Sequence, residues 1–77
     1  MSKYTRLAIA IPCFNEEGLI KSTTERLLEL LDYLEKKEKI ASNSYIYLID
    51  DGSKDETWYE IAKAVARHPH KIKAAKF

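Results

Sequence analysis

Two short stretches hold the residue types that do chemistry. The first is P-C-F-N-E-E, residues 12–17, and the second is D-D-G-S-K-D-E-T, residues 50–57. Each follows an apolar run. A carboxylate at the end of a strand accepts hydrogen bonds from sugar hydroxyls or from the imide N–H of a base. Asp50 and Asp51 are placed for that. Side chains alternate along a strand, so the two leave on opposite sides. One can face a ligand while its neighbour braces the loop, and Gly52 permits a tight turn with positive φ.

Those stretches need elements to position them. Residues 6–14, RLAIAIPCF, read as a short buried strand that is apolar on both faces and ends near Pro12. Residues 15–39 read as a helix with Ile20, Leu27, Leu31 and Leu34 on one stripe and Leu28 and Leu30 beside them. Asn15 is the expected N-cap, and Glu16 and Glu17 suit the positive end of its dipole. A loop at 41–44 leads to a second strand, YIYLI, at 45–49. Ser53 and Glu56 form a capping-box pattern for a second helix. Its expected face is Trp58, Ile61, Ala62, Val65 and Ala66, with Pro69 ending it. Residues 71–77 read as a third strand. The order β-α-β-α-β predicts an α/β fold with a parallel sheet and right-handed crossovers. Ligands of such sheets bind outside the carboxyl ends of the strands, where both loops lie.

Length and composition narrow the classes. With 77 residues there is one domain at most, and a chain this short buries only about 60% of its unfolded surface. Thirteen basic and twelve acidic side chains give a net charge of +1, which argues against a dedicated nucleic-acid binder. One cysteine, Cys13, leaves no internal disulfide and fits a reducing compartment such as the cytoplasm. The N-terminal apolar run is too short for a signal peptide, and no segment approaches a membrane span.

Several other motifs read as structure. His68 and His70 lack a third metal ligand and read as a solvated helix end. Cys13 has no histidine at its sheet edge and reads as a small buried side chain. Residues 36–39, KKEK, read as an exposed helix end, and Ser53 and Asp55 as loop structure. A dinucleotide-binding domain would carry G-x-G-x-x-G after the first strand, but Glu16 and Glu17 there would repel a pyrophosphate. A response-regulator receiver would place its acid pair after the first strand, not the second.

Taken together, IAIPCFNEE followed by YLIDDGSKDET resembles the N-terminal part of family-2 glycosyltransferases of the GT-A fold. Among these, the pattern looks most like the enzymes that load a sugar onto a polyprenyl or dolichyl phosphate. The resemblance implies a three-layer α/β/α sandwich, the Rossmann-like half of a nucleotide-diphospho-sugar transferase fold. It implies that residues 1–77 are the nucleotide-binding portion of a catalytic domain, cut at the third strand. Pro12 and Phe14 would line the base site. Phe14 stands where the family often has tyrosine, so one hydroxyl is lost. Glu16 would contact the nucleoside, and Asp51 the uracil, guanine or ribose, with Asp50 close by.

The implied donor is a UDP- or GDP-sugar and the implied acceptor a polyprenyl phosphate or glycan. The family's metal-binding D-x-D does not occur here: the aspartates are Asp32, Asp50, Asp51 and Asp55. The resemblance therefore implies Mg²⁺ or Mn²⁺ only for the longer parent, with no cofactor in these residues and no transferase activity from them alone. The parent would sit at the cytoplasmic face of a membrane. The rival expectation is a non-catalytic nucleotide-binding module, or one that forms a homo-oligomer through an exposed sheet edge.

Overall fold

The structure is a computed structural model, and it describes residues 4–77. The first three residues of the N-terminal flank lie outside the described residues. Strands β1 (Ala8–Cys13), β2 (Tyr45–Asp50) and β3 (Ile72–Lys76) alternate with helices α1 (Ile20–Lys36) and α2 (Thr57–Arg67). The three strands form one parallel sheet in the order β1-β2-β3. The expected α/β class and element order are both observed.

Strand order decides where the helices go. Two successive crossovers step in the same direction across the sheet. With the usual right-handed connection, both helices then lie on one face. α1 and α2 accordingly pack on each other as well as on the strands. The described residues thus build the sheet and one helical layer of the three-layer arrangement. The opposite face, carrying Ala8, Ala10, Tyr45 and Tyr47, has no helix of the described residues over it. This alters the reading of β1 as buried on both faces. Ile9 and Ile11 are half-buried on the helix side, while Ala8, Ala10 and Pro12 are exposed on the other.

The core lies between the sheet and the helices. Cys13, Ile46, Leu48 and Ile72 meet Ile20 and Leu31 of α1 and Ile61 and Ala64 of α2. Each fully buried aliphatic side chain here contributes about 1.5–3 kcal/mol. The α1 stripe is Ile20, Thr24 and Leu31, spaced by four and seven residues. Thr24 is buried because its hydroxyl donates back to the Ile20 carbonyl at 2.9 Å. Leu30 turns outward, and in α2 Ala64 rather than Ala62 or Ala66 enters the core.

Helix ends depart most from expectation. α1 starts at Ile20, not after Asn15, and its N-cap Leu19 makes no side-chain cap bond. Asn15 has φ 50 and belongs to the loop. Glu16 and Glu17 therefore lie ahead of the helix, and its first turn carries no acid. The C-terminus closes in a Schellman arrangement. Glu38 N–H donates to Glu35 O and Lys39 N–H to Leu34 O, with Glu38 at φ 57. A residue other than glycine in that region costs about 1–2 kcal/mol.

Candidate functional site

The carboxyl ends of the strands bring the two loops together. The ladder ends at the row Cys13, Asp50 and Lys76, closed by Asp51 N–H donating to Cys13 O at 3.3 Å and Phe77 N–H to Asp50 O at 2.8 Å. Beyond that row the chain turns through Asn15 at φ 50 and Gly52 at φ 80. Glycine and asparagine tolerate this conformation better than other residues, which is the local reason for both.

Side-chain bonds then lock one loop to the other. Asn15 N–H donates to Ser53 Oγ at 2.9 Å, and Lys54 N–H donates to Asn15 Oδ1 at 2.8 Å. Glu16 N–H donates to the buried Thr57 Oγ1 at 2.7 Å, and Glu17 N–H to Asp55 Oδ2 at 3.4 Å. Asp55 Oδ1 accepts from both the amide and the hydroxyl of Thr57. That hydroxyl holds the Asp55 carboxyl below its ordinary range. The expected Ser53–Glu56 capping box is absent: α2 has Glu56 as N-cap without a side-chain bond. Ser53 is instead drawn to Asn15, and Asp55 holds the amide at the helix start. Both remain structural, by a different set of bonds.

The paired aspartates separate as alternation requires. Asp50 shares the helix face with Cys13 and is fully buried. Its Oδ1 accepts from Ser53 N–H at 2.9 Å, while Oδ2 is buried without a partner among the described residues. Asp51 is exposed on the opposite side. Asp50 is thus placed to hold the loop, and Asp51 alone of the pair is open to a ligand. Pro12 is exposed at the end of β1, in register with Ile49. Phe14 is 54% exposed. Glu16 is half-buried, and its Oε1 accepts from Phe14 N–H at 3.3 Å, which fixes the Phe14 backbone. Pro12, Phe14 and Asp51 therefore form an open ledge, with Glu16 and Asp50 supporting it from below.

Cys13 lies under this ledge. Burial pushes its thiol pKa up, and the charges of Glu16 and Asp50 add to that. A thiol held neutral is a poor nucleophile. Both histidines precede β3 and sit at the far end of the sheet. Asn15 and Thr57 are the residues whose importance sequence reasoning missed. An asparagine before two glutamates looks like a cap, and only its contact with residues 53–54 reveals the clamp.

Comparison with known proteins fits this geometry. The profile of the family described as Glycosyl transferase family 2 matches residues 8–76. The chain is similar to the "Uncharacterized glycosyltransferase YkoT" of Bacillus subtilis (strain 168), at 45% identity over 62 residues. That alignment covers 80% of this chain and 18% of YkoT, so the chain spans under one fifth of this relative's length. No solved structure matches significantly. No helix among the described residues is long and apolar enough to cross a membrane. With both loops locked at the sheet end and the profile running through all three strands, the chain belongs to glycosyl transferase family 2.

Proposed function

We propose that the ledge at residues 12–16 and 50–52 receives the nucleoside of a UDP- or GDP-sugar donor, within a glycosyltransferase whose acceptor is a polyprenyl phosphate or a glycan. One observation carries this reading: Asp51 stands exposed at the end of the central strand, beside Pro12 and Phe14. A carboxylate accepts from an imide N–H, which uracil and guanine present. Adenine and cytosine present a ring-nitrogen lone pair there, which a carboxylate repels. Phe14 supplies a face for base stacking.

The divalent cation of the wider family finds no fit here. Among the described residues no group of three or more His, Cys, Asp or Glu side chains could hold a metal ion. Asp50 is turned to Ser53 and Asp55 to Thr57, so neither converges with Asp51. These side chains do not by themselves form a metal site, and on this reading sugar transfer needs groups outside residues 1–77.

Titration with UDP, GDP, ADP and CDP, followed by amide chemical shifts, tests the reading. UDP or GDP is expected to move residues 12–16 and 50–52, with ADP and CDP weaker. Asp51→Asn should lower affinity at least about tenfold, the usual worth of a charge-assisted hydrogen bond. Shifts confined to other residues, or equal binding by Asp51→Asn, would overturn it.

A further inference from the structure

We infer that Phe77 is the second wall of the base site, so that a base is held between Phe14 and Phe77 with Asp51 at its edge. This rests on the nucleoside reading above and adds a residue that positions the base. The observation is the row of residues beyond the sheet. Cys13, Asp50 and Lys76 are in register as the last row of the strands. The bonds from Asp51 N–H to Cys13 O and from Phe77 N–H to Asp50 O complete the pairing of that row. The residues that follow it in the three chain segments are Phe14, Asp51 and Phe77.

Alternation assigns the side of the sheet. Cys13 and Asp50 are buried under the helices, and the Lys76 ammonium lies 5.8 Å from the Trp58 ring centre in α2. Their successors therefore project on the opposite face, the side of Pro12 and Ile49. All three are open: Phe14 is 54% exposed, Phe77 is 76% exposed, and Asp51 is exposed between them. No hydrophobic neighbour among the described residues claims the Phe77 ring for the core.

The spacing suits a planar guest. Phe14 and Phe77 flank the central strand, so their backbones stand two strand spacings apart, about 9.5 Å. Two offset-stacked aromatic contacts of about 4.5–5 Å each span 9–10 Å. A base stacked on both rings then fits with its donor edge against Asp51. One ring would give a shelf; two rings with a carboxylate between them fix the plane of the base as well as its edge. Gly52 lies close to the end of β3: a Cβ there would make an ordinary contact, 4.0 Å, with the Phe77 carbonyl oxygen, and it is the φ of 80 that calls for glycine.

Titration of the chain with UDP and GDP, using Phe14→Ala, Phe77→Ala, Phe77→Trp and Asp51→Asn, tests the inference. Phe14→Ala and Phe77→Ala should each weaken binding by about five- to a hundredfold, the range for loss of one stacking face. Phe77→Trp should retain it. In the unaltered chain the ring protons of both Phe14 and Phe77 should move upfield when the base stacks. Phe77→Leu keeps apolar bulk without the ring, and carries the same test if the alanine variant loses its amide spectrum. Binding by Phe77→Ala within twofold of the unaltered chain, while Phe14→Ala or Asp51→Asn loses it, overturns the inference and leaves the nucleoside site standing. Failure of the folded, unaltered chain to bind either nucleotide overturns both.

Discussion

At the N-terminal end of the sheet, the Lys71 ammonium donates to Glu35 Oε2 at 2.9 Å and to the carbonyls of Ser42 and Ser44. The Ser44 hydroxyl, fully buried, accepts from Leu7 N–H at 2.8 Å. Arg6 Nε donates to Asn43 O, and Ala41 N–H to Thr5 O. At the opposite end Asn15, Ser53, Asp55 and Thr57 make a comparable knot between two loops. Both knots tie segments that are distant in sequence.

They differ in what stays unpaired. At the N-terminal end a cation satisfies two loop carbonyls and an acid together. At the carboxyl end the bonds are spent on holding loops, and Asp51, two phenylalanine rings and one buried Asp50 oxygen remain outside them. The difference teaches where to look for function in a small α/β unit. Buried polar groups are normally paired, so the unpartnered Asp50 oxygen, on the helix side of the strand end, marks this end as the less self-satisfied of the two.

The strongest way to break this comparison is to unlock the carboxyl end. Thr57 is fully buried, and its hydroxyl serves both Glu16 and Asp55. Thr57→Val keeps the shape and strands the Glu16 amide, so it should destabilise the fold by about 1–3 kcal/mol. Urea unfolding should read that loss, and the amides of residues 14–17 should exchange faster with solvent. Unchanged stability would mean the clamp is decoration.

A smaller effect is expected at the other end. Lys71 and Glu35 are 29% and 20% exposed, so their pair is partly screened. Lys71→Met should cost about 1–2 kcal/mol, between an exposed ion pair and a charged hydrogen bond. Nucleotide titration of this variant should match the unaltered chain, because the knot it cuts lies at the far end of the sheet. Weakened nucleotide binding there would erase the distinction between the two ends.

The smallest effect concerns acid. Asp55 has a folded pKa below its ordinary value of 3.8, chiefly through the Thr57 hydroxyl. A carboxyl shifted this way stabilises the fold above its unfolded pKa, and loses that stabilisation as pH falls through the lower, folded value. Asp55→Asn should therefore show a shallower drop in melting temperature below about pH 4 than the unaltered chain. Identical acid limbs would show that Asp55 holds no special place in the clamp.

Much of this was legible in the residues themselves. Hydrophobic periodicity marks all five elements, because a strand alternates and a helix repeats every 3.6 residues whatever surrounds it. The motif pair at 12–17 and 50–57 points to the family, and the ends of both strands place it at one edge of the sheet. Capping was misread at both helices. Asn15 and Ser53 carry cap-forming side chains, but each finds a stronger partner in the other loop. A local rule cannot see a competitor some 38 residues away.

The sequence by itself thus determined the element order, the parallel class and the two loops that meet. Only the tertiary structure decided which aspartate is open and which is buried. That choice depends on the face the helices cover, and the strand order β1-β2-β3 puts both helices over Asp50 rather than Asp51. The same is true of Phe77, since Phe14 and Asp51 follow the ends of other strands. Period-two patterning says that successive residues part company; it takes the packed layer to say which of them meets water.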